Sequence, residues 1–144
     1  MIAVDTSTMV AFLEGDEGDD VDLVQSAIDH QQLVLPPVVL SELLSDPALP
    51  DKVRALLAEL PLLEVAPGYW DRAGKLRAAI LKKKRKARVA DALIAQSCLD
   101  QFAPLVTRDR DFRHFAQAAD SDKDRGLSGW VAAGPRKPAA SRRG

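Results

Sequence analysis

The stretch Met1-Ile2-Ala3-Val4-Asp5-Thr6-Ser7 begins the chain with a short apolar run that stops at an acid and two hydroxyl residues. An apolar run of this length is typical of a buried β-strand, and the hydroxyl residues after it are typical of the start of a helix. Similar runs at residues 33–35, 62–65 and 104–107 alternate with stretches of helical periodicity, among them residues 89–102. A weaker signal predicts an edge strand at residues 127–131. This alternation predicts an α/β fold with a mainly parallel central sheet surrounded by helices.

The composition limits the class of protein. With 144 residues, of which 47% are hydrophobic, the chain is long enough for one domain that needs no disulfide or structural metal. Its single cysteine excludes an intrachain disulfide and favours a cytoplasmic protein. No stretch approaches the roughly 20 apolar residues of a membrane span, and the first residues lack the basic region of a secretory signal. We therefore expect a cytoplasmic protein without a membrane partner.

The formal net charge of −1 conceals an uneven distribution along the chain. Residues 1–72 carry 14 acidic and 3 basic side chains, whereas residues 73–144 carry 7 and 17. An acidic half can bind cations, and a basic half can bind polyanions. A protein that uses metal ions on a nucleic acid needs both.

Five acidic residues stand out by their positions. Asp5 directly follows the first predicted strand, and Asp109 and Asp111 follow the last one. Glu42 and Asp91 interrupt apolar helical stretches, where an unsatisfied carboxylate is costly. Ligands bind at the carboxyl ends of parallel strands, and like charges gathered there repel each other unless a cation neutralises them. Oxygen ligands without cysteine or histidine select Mg²⁺ or Mn²⁺, so the pattern predicts metal-assisted phosphodiester hydrolysis, with one ion or two about 3.5–4 Å apart.

Each of these acids also has an ordinary structural interpretation. Asp5 is a suitable cap for the helix that follows it, and Asp91 is a possible N-cap as well. Glu42 can lie on the solvent face of its helix. Asp109 and Asp111 can be simple turn residues. No single acid decides between the two interpretations, and it is their joint placement that favours a metal site.

Taken in order, four motifs resemble the PIN-domain family, most closely its small toxin branch, the VapC-type ribonucleases. The motifs are Ile2-Ala3-Val4-Asp5-Thr6-Ser7, Val39-Leu40-Ser41-Glu42-Leu43, Asp91-Ala92-Leu93-Ile94-Ala95 and Thr107-Arg108-Asp109-Arg110-Asp111-Phe112. The resemblance covers roughly residues 2–116. It implies a PIN-like α/β/α sandwich and a Mg²⁺-dependent endoribonuclease that acts as the toxin of a toxin–antitoxin pair and leaves a 5′ phosphate.

The resemblance also implies residue roles. The family's catalytic acids correspond to Asp5, Glu42, Asp91 and Asp109. The three aspartates of that set would bind Mg²⁺ directly, Glu42 would act through metal-bound water or on a second ion, and Asp111 would supplement Asp109. Ser7 and Thr107 match hydroxyl positions that orient the acids, although Thr107 is equally expected as a β-branched residue at a strand end. Activity with Mn²⁺, a homodimer, and an antitoxin that blocks the acidic cleft with a helix and a basic side chain are implied as well.

A basic run lies shortly before Asp91. In Lys82-Lys83-Lys84-Arg85-Lys86-Ala87-Arg88, six of seven residues are basic. The run is interpreted either as a solvated helix end, where cations favour the dipole, or as a phosphate-contacting patch that guides RNA. Arg108 and Arg110 flank Asp109 and are expected to contact RNA or to pair with nearby acids. The aromatic content of 5% argues against a stacking platform for single strands.

We expect a nuclease domain over residues 1–119 and a C-terminal extension over residues 120–144, of which at least the last ten residues are flexible. The alternatives are a PIN-type nuclease for RNA processing or DNA without an antitoxin, a phosphoacceptor signalling domain, and a non-catalytic RNA- or partner-binding module. A phosphoacceptor domain requires a lysine just after the last core strand, where Thr107-Arg108-Asp109 stands. The full set of four acids disfavours the non-catalytic module.

Overall fold

The computed structural model describes residues 1–120 and 131–132. Its elements follow one another along the chain as β1 (Ile2–Val4), α1 (Thr6–Leu13), α2 (Asp19–Asp29), β2 (Leu33–Val34), α3 (Pro37–Leu44), α4 (Asp51–Glu59), α5 (Tyr69–Lys82), α6 (Val89–Asp100), β3 (Leu105–Val106), α7 (Phe112–Asp120) and β4 (Val131–Ala132).

In the described part of the chain, four strands form one parallel sheet in the order β2-β1-β3-β4. Ala3 of β1 pairs with Val34 on one side and with Leu105 on the other. Because β1 and β3 are parallel neighbours, their carboxyl ends lie at the same edge, with Asp5 after one strand and Thr107 after the other. The predicted α/β fold with a parallel central sheet is confirmed.

Helix α6 contributes much of the apolar core. Its residues from Asp91 to Leu99 are buried apart from Leu93. Burial on most sides accounts for the largely apolar composition of this helix, in which Asp91, Gln96 and Ser97 are the buried polar residues. Cys98 of this helix is a free thiol without exposed surface, and burial raises its pKa, so it is an inert core residue.

Two elements differ from the expectations. The predicted strand at residues 62–65 is reduced to a single bridge between Leu62 and Leu35, and the chain then leaves the sheet. Helix α6, predicted to reach Phe102, ends at Asp100, because Phe102 adopts a left-handed conformation with φ of 52°. The amide of Ala103 then bonds back to the Cys98 carbonyl (3.0 Å), which is a Schellman-type end.

The predicted C-terminal extension contains one described strand. β4 lies within residues 120–144 and pairs with β3. The possible edge strand predicted at 127–131 overlaps it at Val131; the rest of that prediction and the flexible last ten residues lie outside the described residues. Across residues 1–120 and 131–132, the helices are all too short or too polar to cross a lipid bilayer.

Candidate active site

Asp5 is held between the end of β1 and the start of α1. It is 2% exposed and accepts hydrogen bonds from the Thr8 amide (3.0 Å), the Ser7 hydroxyl (2.8 Å) and the Thr107 hydroxyl (2.5 Å). Burial raises the pKa of Asp5, and the hydrogen bonds from Thr107, Thr8 and Ser7 oppose that rise. Asp5 therefore caps α1, and it is also tied to the end of β3.

Thr107 connects Asp5 to the loop that carries two more acids. Its buried hydroxyl donates to Asp5 and accepts from the amide of Asp109 (3.0 Å). Oδ1 of Asp109 in turn accepts from the amide of Asp111 (2.9 Å), whose side chain is exposed. One hydroxyl thus fixes the loop after β3 relative to the loop after β1, and both hydroxyls expected beside the acids, those of Ser7 and Thr107, contact Asp5.

Asp91 is 7% exposed in the first turn of α6. Burial raises its pKa; Arg88 lowers it through a hydrogen bond and its charge, and the negative charges of Asp109 and Glu42 raise it further. A helix N-terminus favours a carboxylate, so the local backbone partly offsets the burial. Acids from α3 and from the loop after β3 thus act on the charge of Asp91.

Glu42 lies on the exposed side of α3, which is the ordinary structural interpretation of this residue. A hydroxyl group restrains its side chain there. The Thr6 hydroxyl donates to Glu42 Oε1 at 2.7 Å. Since Thr6 directly follows Asp5, this bond links the first acid motif to the second across 36 residues of sequence.

Arg88 bridges two of the acids. Its Nε lies 3.1 Å from Asp91 Oδ2, and its Nη2 lies 3.6 Å from Asp109 Oδ2. Its contact with Asp91 raises the pKa of Arg88, and the negative charges of Asp109 and Glu42 raise it further. Arg88, predicted from the sequence as a phosphate contact, is therefore bound to the acids themselves.

The acids provide only oxygen ligands, which suits a hard divalent cation. Their positions do not yet enclose one: within residues 1–120 and 131–132, no three carboxylate, imidazole or thiol side chains are arranged to hold a metal ion. A depression of about 330 Å³ opens beside them, lined by Lys86, Arg88, Asp91 and Asp111. The donor chemistry fits Mg²⁺ or Mn²⁺, while Arg88 supplies the positive charge at the acids.

The basic run forms an exposed rim beside the depression. Its six basic side chains are exposed, but only Lys82 belongs to α5, so most of the run is a loop rather than a helix end. Nη1 of Arg85 lies 3.0 Å from His114 Nδ1, which joins this loop to α7. Arg110 is exposed just before α7. Two separate segments thus place cations around the acids.

Arg108 occupies a different environment from the other predicted RNA contacts. Its Nε and Nη2 donate to Asp20 at 2.8 and 3.3 Å, and its side chain is only 23% exposed. Asp20 has no exposed surface and also accepts from the Thr8 hydroxyl (3.0 Å). The Thr8 hydroxyl accepts from the Arg108 amide at 3.0 Å. Arg108 therefore pairs with an acid, the alternative that the sequence left open, and we do not include it in the RNA surface.

Sequence reasoning missed three contributors to this site: Thr6, Thr8 and Asp20. Thr6 and Thr8 follow Asp5 closely, and an acid followed by several hydroxyl residues is a signal that could have drawn attention to them. Asp20 gave no such signal. It stands among many acids in residues 14–22, and only the fold shows that this one is buried.

Comparison with known proteins identifies related chains. A sequence model of the PIN domain matches residues 2–118. A search of curated protein sequences finds no significant match.

Three solved structures share the fold. A chain of VapBC2 from Rickettsia felis, bound to a promoter DNA fragment, superposes with a TM-score of 0.62 at 20% identity and covers 81% of this chain and 92% of that one. FitAcB from Neisseria gonorrhoeae superposes with a TM-score of 0.59 at 17% identity, and the match covers 83% of this chain and 94% of that one. VapBC-5 from Mycobacterium tuberculosis, a member of the VapBC family of toxin–antitoxin systems, superposes with a TM-score of 0.55 at 22% identity, and the match covers 91% of this chain and 94% of that one. At these identities the likeness establishes the fold.

Proposed function

The chain belongs to the PIN domain family, and on that premise we propose that it is a metal-dependent endoribonuclease, the toxin of a toxin–antitoxin pair. PIN domains are generally nucleases, and they typically use divalent metals. The observation that carries the proposal is that Asp5, Asp91 and Asp109, from three separate segments, share partners at one sheet edge: Thr107 bonds both Asp5 and the Asp109 amide, and Arg88 pairs with both Asp91 and Asp109. An oxygen-only site of this kind suits phosphodiester hydrolysis.

Asp5, Asp91 and Asp109 would hold Mg²⁺ or Mn²⁺, with Glu42 and Asp111 beside them. When bound, such an ion lowers the pKa of a water molecule and neutralises charge on the phosphate. The surrounding side chains would orient the ligands, as outer partners of metal sites commonly do. The Ser7 and Thr107 hydroxyls direct the oxygens of Asp5, and the Thr6 hydroxyl restrains Glu42.

RNA would approach over the basic rim. The exposed side chains of the basic run begin with Lys82 at the end of α5 and continue along the loop that leads to Arg88 and the acids. Arg110 is exposed on the loop after β3. Phosphate contacts of this kind supply affinity without sequence selection. Both halves of the chain therefore meet here: residues 1–72 supply Asp5 and Glu42, and residues 73–144 supply the other three acids together with the basic approach.

A protein partner is the second part of the proposal. VapBC-5, which shares the fold, belongs to a family of toxin–antitoxin systems. On α5 and α6, a depression of about 380 Å³ is lined by apolar side chains that include Trp70, Leu81 and Val89, which are 67, 44 and 55% exposed. Clustered exposed apolar side chains are typical of a binding surface. Because Val89 adjoins Arg88, we propose that an antitoxin covers this surface next to the acids, and that the toxin also forms a homodimer.

The test is cleavage of structured RNAs by the purified, antitoxin-free chain, with Mg²⁺ or Mn²⁺ against EDTA. We expect Asp5→Asn and Asp91→Asn to lower the cleavage rate at least about a hundredfold. Asp29→Asn is the matched control, because Asp29 is an exposed acid on α2 whose contact is with Gln25 (2.9 Å).

The outcomes separate the alternatives. Discrete cuts that require both the metal and Asp5 support the ribonuclease. Cleavage of DNA in preference to RNA indicates a DNA nuclease of the same fold, and cutting that survives EDTA or Asp91→Asn removes these acids from catalysis. Metal binding without cutting across a broad tRNA and rRNA panel favours the non-catalytic module.

A further inference from the structure

The contacts of Arg88 differ from those of the other paired arginines in the described chain. Arg108 is 23% exposed and bound by the buried Asp20. Arg72 donates two hydrogen bonds to Asp100, at 3.0 and 2.6 Å, and a third to the Pro67 carbonyl at 2.8 Å. These two arginines link parts of the fold, and removing either would leave a carboxylate without its partner.

Arg88 also joins two segments, the first turn of α6 and the loop after β3, but it does so from the surface. Its side chain is 75% exposed, and its ion pairs among the described residues are with Asp91 and Asp109, two candidate metal ligands. The side chain can therefore move into solvent without opening the core. Its backbone is fixed at the cap of α6, three residues before Asp91, so the guanidinium stays within reach of the acids.

We propose that Arg88 is an internal counter-cation of the metal site: it binds Asp91 and Asp109 when no metal is present, and a divalent ion must displace it to reach them. This inference rests on the proposed function. It explains why Asp91 and Asp109 share one cation although the described residues enclose no metal site. A guanidinium and a divalent cation repel each other, so the binding of one at these two carboxylates disfavours the binding of the other at close range.

The displaced guanidinium has an evident second partner. Arg88 and Lys86 line the same depression, and the rest of the basic loop leads to it. Once released, Arg88 becomes an exposed cation beside the acids, where the phosphate of a bound RNA would lie. Metal binding and RNA binding are then coupled, and by linkage each strengthens the other by the same factor.

The first test is a Mn²⁺ titration of the full chain without RNA, followed by electron paramagnetic resonance. We expect Arg88→Ala to bind Mn²⁺ about five- to tenfold more tightly than the wild type, because the metal no longer competes with an ion pair. Lys86→Ala is the matched control. It removes one positive charge from the same depression but breaks no ion pair with a described acid, and we expect a change of less than about twofold.

The second test observes the displacement itself. In protein labelled with ¹⁵N-arginine, the Arg88 Nε–H resonance, assigned by its loss in Arg88→Ala, is followed during a Mg²⁺ titration. We expect it to shift with the same midpoint as metal binding. Equal Mn²⁺ affinities for Arg88→Ala and Lys86→Ala, or an unmoved Arg88 signal at saturating Mg²⁺, would overturn the inference while leaving the metal site intact. Absence of Mn²⁺ binding in every variant would instead overturn the proposed function.

Discussion

Removal of the Asp20 carboxylate tests whether Arg108 serves the fold or the RNA surface. Asp20 has no exposed surface, and it accepts hydrogen bonds from the Thr8 hydroxyl at 3.0 Å and from Arg108 at 2.8 and 3.3 Å. Asp20→Ala removes all three acceptor contacts. It also leaves the guanidinium of Arg108 without its main counter-charge, and the Arg108 side chain is only 23% exposed.

The expected cost follows from these contacts. Removing one partner of a buried ion pair destabilises a protein by about 3–5 kcal/mol. Arg108 retains some access to water, a carboxylate at 3.8 Å on Asp16 and the Glu17 carbonyl at 3.4 Å, so we expect the lower end, about 3 kcal/mol. Asp20→Asn keeps acceptor capacity but loses the charge, and it should cost less, about 1–2 kcal/mol.

The assay is urea denaturation followed by far-ultraviolet circular dichroism. Asp29→Ala, at an exposed position of the same helix, should change the free energy of unfolding by less than about 0.5 kcal/mol. In the double mutant with Arg108→Ala, the two costs should overlap by more than about 1 kcal/mol, because the side chains contact each other directly. An Asp20→Ala protein within about 1 kcal/mol of the wild type would refute the reasoning and return Arg108 to the candidate RNA contacts.

Three further predictions concern the acids and the basic rim. Thr107→Val removes the hydroxyl that bonds Asp5 and the Asp109 amide, and it should lower the free energy of unfolding in urea by about 2–3 kcal/mol and abolish most of the cleavage activity. Thr107→Ser keeps the hydroxyl and should lower the free energy of unfolding by only about 1 kcal/mol. Equal losses for the two variants would contradict the role of the hydroxyl. Burial raises the pKa of Asp20, but the hydrogen bonds and charge of Arg108 and the Thr8 hydroxyl outweigh it, so the pKa lies below the ordinary value of 3.8. The stability that the Asp20 carboxylate contributes is therefore present above pH 3.8 and is lost as the pH falls through the lower pKa of the folded state. Thermal midpoints measured down to about pH 2 should fall less steeply for Asp20→Asn than for the wild type. Lys84→Ala should weaken RNA binding and reduce the salt dependence, the slope of log K against log salt, by about 0.7, and an unchanged slope would exclude Lys84 from phosphate contact.

The fold and the sheet-edge acids were predictable because local patterns determine them. A short apolar run followed by an acid indicates a buried strand and its carboxyl end, and parallel strands bring such ends together. Asp5 and Asp109 accordingly lie on neighbouring strand ends, joined by Thr107. The strand predicted at residues 62–65 does not form, because only Leu63 of the segment is buried; Leu62 and Val65 are 43 and 48% exposed, and the single bridge to the sheet is with Leu35.

Contacts between distant segments were not predictable in the same way. Asp20 and Arg108 are separated by 88 residues, and neither stands in a pattern that distinguishes it from neighbouring charges. The sequence placed Arg108 beside Asp109 and therefore near the substrate, but consecutive side chains at a strand end point in different directions. Arg88 shows the converse: its place in a basic run suggested a phosphate contact, and the fold turned it towards two acids.

The carboxylates of the site have partners within the protein before any metal arrives. Hydroxyl and amide groups satisfy Asp5, a hydroxyl restrains Glu42, and Arg88 pairs with Asp91 and Asp109. The cost of unsatisfied acids indicated a cation, and the chain itself offsets part of that cost, although burial still raises the pKa of Asp5 and Asp91. We therefore expect the chain to fold without the ion, in contrast to small zinc domains that unfold without metal. A chelator should consequently stop cleavage while the chain stays folded, losing only the stabilisation that metal binding had added to the native state.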